Sequence, residues 1–110
     1  MLTIVERFER DVRYLQQNQL PIESSGKLVD KLDYEGSATH TLTSAQVETL
    51  AEALKSNDKF SGPLNLEQNN LNDLAMLAIS DVLRNKAATI TKLNISKNTA
   101  FTCKTGQYIG

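Results

Sequence analysis

Asparagine is the residue type whose spacing in this chain could concentrate polar chemistry at one site. Asn69 and Asn98 occupy the same place in two copies of a motif, and each follows a short segment of alternating apolar and polar residues. The asparagine amide carries an acceptor oxygen and a donor nitrogen, so it can bind a polar ligand or pair backbone groups. Backbone groups freed at the end of a strand must find partners, and an asparagine placed there can supply them.

The other reactive residue types do not form a catalytic or metal-binding set. The sequence has one histidine, His40, and one cysteine, Cys103, which are too few for a metal site. We expect His40 to be solvated and Cys103 to be a buried, inert thiol. Glu48, Glu52 and Asp81 fall on outward helix positions and do not form a catalytic pair. We therefore expect no catalytic residues, no metal, no cofactor and no enzyme activity.

The asparagines belong to a repeat. Residues 64–69 read Leu-Asn-Leu-Glu-Gln-Asn, and residues 93–98 read Leu-Asn-Ile-Ser-Lys-Asn. The apolar positions between them align without a gap at the same offset, and the matched pairs are Leu42 with Leu71, Val47 with Met76, Leu50 with Ile79, and Leu54 with Leu83. A period of about 29 residues that holds a short strand and a helix is typical of stacked repeat arrays.

Two strands are predicted, over residues 63–67 and 92–96. Their alternation directs four side chains into the core, Leu64, Leu66, Leu93 and Ile95, and four outward, Asn65, Glu67, Asn94 and Ser96. Each strand is joined to the next through a helix, so the strands should be parallel and in register.

Both predicted helices between these segments have clear starts. Thr43 and Gln46 form a capping box, and Asn72 caps the next helix one repeat later. Leu42 with Val47, and Leu71 with Met76, can form hydrophobic staples across the two caps. The predicted buried faces are Val47, Leu50, Ala51 and Leu54, then Met76, Ile79, Val82 and Leu83.

An amphipathic helix is predicted at the start of the chain, over residues 3–19. Its apolar stripe consists of Ile4, Phe8, Val12 and Leu15. Thr3 with Glu6 forms a capping box, and Pro21 should stop the helix. We assign residues 1–22 to this helical segment and residues 23–110 to about two and a half repeats. The helix either covers the open end of the array or docks on a partner.

The first repeat is irregular. Residues 28–34 predict a degenerate first strand in which Leu32 and Tyr34 point inward. The interval from Leu32 to Leu42 is three residues longer than the matching interval of the next repeat. We therefore expect a longer loop around Gly36.

The register after the second copy of the motif is open. One alignment places Phe101 and Ile109 in apolar columns after a one-residue insertion, and the other places Cys103 and Tyr108 there. In both alignments the sequence stops inside a helix. We expect the chain to be the N-terminal portion of a longer protein.

Leu-x-Leu-x-x-Asn-x-Leu at residues 64–71, with its helix and period, resembles the ribonuclease-inhibitor-like leucine-rich repeat. The resemblance covers residues 42–98 closely and 28–110 with irregular ends. It implies an α/β horseshoe segment in which parallel strands line the concave side and helices lie outside. It also implies that Asn69 and Asn98 turn inward and bond backbone groups of neighbouring repeats as a structural ladder.

In that family, protein partners bind mainly on the concave side. The resemblance therefore implies a protein-binding strand face made of Asn65, Glu67, Asn94 and Ser96. The first repeat departs from the pattern, because His40 stands where the asparagine is expected. Ala75 stands where many members have a helix glycine.

Composition limits the remaining function classes. Twelve basic and thirteen acidic residues give a net charge of −1, so no large basic surface favours nucleic acid. No apolar run approaches the ~18 residues of a membrane span, and the charged start does not resemble a secretory signal. A single cysteine fits a reducing compartment. We expect a cytoplasmic protein with neither nucleic-acid nor membrane partners.

The leading hypothesis is a non-catalytic scaffold that presents its strand face to a protein partner within a larger assembly. Family analogy makes a cytoskeletal or ciliary assembly plausible. One alternative is a GTPase-activating regulator resembling the Ran GTPase-activating protein, although residues 69–73 contain no arginine. Another is the recognition module of a longer enzyme.

Overall fold

Helices and strands alternate along the chain. The computed structural model describes residues 3–37, 39–86 and 89–98. The elements within them are α1 (Ile4–Gln16), β1 (Leu32–Asp33), α2 (Ser44–Lys55), β2 (Gly62–Asn65), α3 (Asp73–Asn85) and β3 (Ile90–Asn94). The predictions for Phe101, Cys103, Tyr108 and Ile109 lie outside the described residues.

The strands form one open parallel sheet in the order β1-β2-β3. Leu64 pairs with Leu93, which is the pairing that the repeat period predicted. Leu32 pairs with Leu64, so the first interval is three residues longer than the period, as the sequence predicted. The α/β class and the parallel arrangement of the strands are thereby confirmed.

Strands β2 and β3 lie slightly earlier in the chain than predicted. The strand predicted over 63–67 spans Gly62–Asn65, and the one predicted over 92–96 spans Ile90–Asn94. Their pairing is irregular at the start, because Gly62 pairs with Ile90 and Pro63 with Lys92. Thr91 is therefore an extra residue on β3, an insertion that the gapless alignment did not anticipate.

The first strand is much shorter than the predicted span of 28–34. Leu28 is not in the parallel sheet, because it forms an isolated antiparallel bridge with Ile22. The amide of Glu23 donates to the carbonyl of Lys27 at 2.8 Å, which closes a tight turn. This local hairpin uses the residues that were expected to begin the strand.

Helix α1 starts as predicted and ends earlier. The capping box of Thr3 and Glu6 is confirmed. The prediction that the helix continues to residue 19 and stops at Pro21 is wrong, because it ends at Gln16. Asn18 adopts a left-handed φ of 56°. The amide of Asn18 donates to the carbonyl of Leu15 at 3.1 Å, and that of Gln19 donates to the carbonyl of Tyr14 at 3.0 Å. These bonds are those of a Schellman motif.

Helices α2 and α3 have the predicted caps. Thr43 and Gln46 form a complete capping box before α2. The side chain of Asn72 accepts from the amides of Leu74 and Ala75 at 3.0 and 3.3 Å. The predicted apolar faces are buried, except that Leu83 is partly buried.

One hydrophobic core joins all of these elements. It contains side chains from α1, the strands, α2 and α3, including Leu64 and Leu66. The apolar stripe of α1 is buried in this core, and α1 packs against α2. The stripe therefore packs against other parts of the chain.

Candidate functional site

A row of outward-facing side chains crosses the sheet. Asp33, Asn65 and Asn94 are register partners on β1, β2 and β3. Two residues further along lie Glu35, Glu67 and Ser96, and these six residues are here called the polar sheet face. Each of the six is exposed or half-buried, whereas the flanking residues Leu32, Tyr34, Leu64 and Leu66 are buried. The sequence predicted four of the six, and the other two are Asp33 on β1 and Glu35 just after it.

The two exposed asparagines hold this face together. The Oδ1 of Asn65 accepts from the amide of Glu67 at 3.0 Å, and the Oδ1 of Asn94 accepts from the amide of Ser96 at 3.0 Å. Their Nδ2 atoms donate across the sheet, from Asn65 to Asp33 at 3.1 Å and from Asn94 to Glu67 at 3.2 Å. Both amides are thus already engaged inside the chain.

Both carboxylate oxygens of Glu67, on the polar sheet face, have contacts within the chain. Its Oε1 accepts from Asn94, and its Oε2 lies 3.8 Å from the Nζ of Lys97. The side chain of Glu67 is 19% exposed, whereas that of Lys97 is 67% exposed. Such a long pair with an exposed lysine adds little stability. The carboxylate is therefore oriented by its neighbours and can still accept from a ligand.

The other two predicted asparagines lie inside the fold. Asn69 is buried, and its Oδ1 accepts from the amide of Leu42 at 2.8 Å. Its Nδ2 donates to the carbonyls of Tyr34 at 2.7 Å and Glu67 at 3.2 Å. One amide thus joins three segments of the chain.

Asn98 makes the corresponding contacts one repeat later. Its Oδ1 accepts from the amides of Asn69 at 2.9 Å and Leu71 at 3.0 Å. Its Nδ2 donates to the carbonyls of Leu66 at 2.9 Å and Ile95 at 2.8 Å. Leu71 follows Leu42 by one repeat period. The hydrogen bond from the leucine amide to an asparagine Oδ1 therefore recurs at the same period.

A buried acid that the sequence analysis missed lies between α1 and β1. Asp11 is 2% exposed, and its Oδ2 accepts from the hydroxyl of the fully buried Tyr34 at 2.5 Å. Its Oδ1 accepts from the guanidinium of Arg10, with contacts of 3.0 and 2.9 Å. Burial raises the pKa of Asp11, opposed by the Tyr34 hydrogen bond and by Arg10. Position 11 falls on the apolar stripe of α1, which is the signal that could have identified it.

A buried asparagine was missed as well. Asn57 donates from Nδ2 to the carbonyls of Leu15 and Gln19 at 3.2 and 3.1 Å. Its Oδ1 accepts from the amides of Lys59 and Phe60 at 2.9 and 2.7 Å. Asn57 thereby ties the end of α1 to the loop before β2. Lys86, not asparagine, stands at the matching position one period later, so the repeat gave no signal for it.

The remaining candidates have ordinary surroundings. His40 is exposed, and its Nδ1 lies 2.9 Å from the hydroxyl of Thr39. Lys55 bonds to Asp81 at 2.6 Å and pairs with Glu52 at 3.2 Å. The hydrogen bond from Lys55 lowers the pKa of Asp81, and it raises that of Lys55. Glu48 is exposed on α2.

The described part of the chain contains neither a metal-binding cluster nor a helix that could span a membrane. No group of three histidine, cysteine or acidic side chains there is placed to hold a metal ion. None of the helices described is long and apolar enough to span a bilayer.

No protein-family model matches the chain, and no curated protein matches it.

Proposed function

We propose that this chain is a segment of a leucine-rich repeat solenoid of the ribonuclease-inhibitor-like type, and that it is a non-catalytic scaffold for a protein partner. The observation that carries the proposal is the polar sheet face. It brings three side chains from the parallel strands, and three from the residues just after them, onto one accessible surface, and the sheet sets the spacing of the strands. Rigid elements hold binding groups more accurately than loops do.

The repeat geometry supports the solenoid. β2 and β3 pair at the period of the sequence repeat, and each is reached through one helix. Asn69 and Asn98 make corresponding bonds to the segments beside them. The burial of the apolar stripe of α1 supports the capping role of this helix over docking on a partner.

The roles of the predicted binding residues differ within this proposal. Asn65 and Asn94 use their amides to orient the carboxylates beside them. Glu67 and Ser96 then contact the partner, together with Asp33 and Glu35. By analogy with the repeat family, we also place the protein in the cytoplasm, within a larger cytoskeletal or ciliary assembly.

Affinity capture with matched variants tests the proposal. The full chain, the face variant Glu35→Lys/Glu67→Lys and the helix variant Glu48→Lys/Glu52→Lys would be immobilised and challenged with cell extract. Both variants carry the same charge change, and Glu48 and Glu52 are exposed on α2. Circular dichroism would establish that all three chains are folded.

We expect specific proteins to be retained by the wild type and by the helix variant, and to be reduced about tenfold on the face variant. Equal retention on all three chains, or no retained protein on the wild type, would refute a binding role for the polar sheet face. A substrate turned over by the wild type would refute a non-catalytic role.

A further inference from the structure

Charge is distributed unevenly along the strands beside the polar sheet face. Lys31 lies just before β1, and Lys92 lies on β3 opposite Pro63. Both lysines lie at outward-facing positions of the strands and are exposed. At the other end of the strands lie Glu35 and Glu67. The surface is therefore basic where the strands begin and acidic where they end.

The separation of the two charged ends matches a short peptide. Lys31 and Glu35 are four residues apart, which is roughly 13 Å in an extended chain. Lys31 and Lys92 lie two strands apart, or roughly 10 Å. An acid and a base four residues apart in an extended ligand can therefore reach both ends together.

A shallow cavity lies beside Lys31 and extends from the basic end to the middle of the strands. It has a volume of about 190 Å³ and is lined by Lys31, Leu32, Asp33, Pro63 and Asn65. The proline ring and the leucine give it an apolar part, while Asp33 and Asn65 are joined by a hydrogen bond of 3.1 Å at its edge. The cavity has room for one small side chain of a ligand that spans the two ends.

Lys97 is a basic residue that lies beside the acidic end. Its contact with Glu67 is 3.8 Å long, and its side chain is 67% exposed. A surface pair of this kind is weak. A ligand cation can displace it, after which Glu35 and Glu67 both face the ligand.

We propose that the polar sheet face binds an extended polypeptide segment with acidic and basic side chains separated by about four residues. The acidic end of the segment lies by Lys31 and Lys92, and its basic end lies by Glu35 and Glu67. A small apolar side chain between them enters the cavity beside Pro63. This inference rests on the proposed scaffold function and specifies the chemistry of the partner.

Two peptides of identical composition provide the test. The segregated peptide is acetyl-Glu-Glu-Thr-Val-Thr-Lys-Lys-amide, whose central β-branched residues favour an extended chain. The alternating peptide contains the same residues with glutamate and lysine interspersed. Binding of both to the full chain would be measured by NMR titration at about 50 mM salt, where surface charges are little screened.

We expect the segregated peptide to bind about tenfold more tightly than the alternating one. The half-reversed variant Lys31→Glu/Lys92→Glu should lose this preference, because both ends become acidic. Adding Glu35→Lys and Glu67→Lys should restore it, since the peptide can then lie in the opposite direction. The helix variant Glu48→Lys/Glu52→Lys should keep it.

Equal affinity for the two peptides, or no binding of either, would overturn the inference. Failure of the fully reversed variant to recover the preference while remaining folded would do so as well. If a partner captured from extract still depends on Glu35 and Glu67, the scaffold proposal survives and only the stated partner chemistry fails. If that capture is also insensitive to the face, both fail.

Discussion

At the scale of single residues, two pairs of asparagines recur at the repeat period, and the two pairs have different roles. Asn69 and Asn98 are buried and pair backbone groups. Asn65 and Asn94 lie on the accessible side of the sheet and orient carboxylates. Strand alternation predicted the outward positions of Asn65 and Asn94, and the resemblance to the repeat family implied that Asn69 and Asn98 turn inward. The sequence did not predict that the outer amides would be engaged, since that depends on distances across the sheet.

Replacing Asn69 with alanine should lower the free energy of unfolding by ~1–3 kcal/mol. The change leaves the amide of Leu42 and the carbonyl of Tyr34 without their present partner. Urea unfolding would measure the loss. Gln68→Ala is the matched control, because Gln68 is adjacent to Asn69, is exposed and also follows β2. Equal stability of the two variants would contradict the structural role of Asn69.

Asp11 predicts a specific pH dependence. Its pKa is raised above the ordinary value of 3.8, chiefly by burial. The folded chain therefore binds this proton more tightly than the unfolded chain does. The stability that results is fully present below pH 3.8 and is lost as the pH rises through the higher folded pKa.

Asp11→Asn removes this titration while other acids remain. The stability of the variant relative to wild type should therefore increase as the pH rises from 3.5 to 7, even if the lost Tyr34 or Arg10 contact lowers it at every pH. Urea unfolding across that range measures the difference. The exposed acids Glu6 and Asp58 have lowered pKa values, so they stabilise the folded chain as the pH rises. Both chains contain these acids, so their contribution cancels in the difference between variant and wild type. A relative stability that decreases with pH would show the assigned direction to be wrong.

At the scale of elements, helix starts were predictable and strand limits were not. A cap depends on residues three positions apart, so Thr3, Thr43 and Asn72 could be recognised from local sequence. The length of β1 depends on competition with the hairpin that joins Ile22 to Leu28. The end of α1 depends on a left-handed Asn18, whereas the sequence drew attention to the proline.

Gly36 shows why the first loop needs a residue without a side chain. A Cβ at this position would lie 2.0 Å from the carbonyl oxygen of Gln68. Gly36→Ala should therefore force the loop and the turn after β2 apart, at a cost of roughly 1–3 kcal/mol. Thermal or urea unfolding measures the loss. The control is Glu35→Ala at the exposed neighbouring position, which should change the free energy of unfolding by less than ~0.5 kcal/mol. A fully stable Gly36→Ala would mean that the close approach can relax freely.

At the scale of the whole molecule, repetition predicted the sheet, and the contacts of α1 depended on tertiary packing. The repeat period predicted parallel neighbours with Leu64 opposite Leu93. It gave no signal for Asn57, which binds the end of α1 and has no counterpart in the repeat. The core extends without interruption from α1 to the sheet. The chain should therefore unfold as one unit, with the marginal stability expected of fewer than ~3 complete repeats.

Leu66→Ala tests this cooperativity at the centre of the core. Leu66 is fully buried just after β2, where side chains from several elements meet. Truncation should cost ~2–5 kcal/mol, enough to unfold a chain near the lower end of the ~5–15 kcal/mol typical of domains. The far-ultraviolet circular dichroism of the helices and the near-ultraviolet circular dichroism of the ordered tyrosine rings should be lost together, because α1 and the sheet share the core. Glu67→Ala, one residue later on the polar sheet face, should barely change stability. Loss of sheet contacts with α1 intact would instead mean that the chain contains two independent folding units.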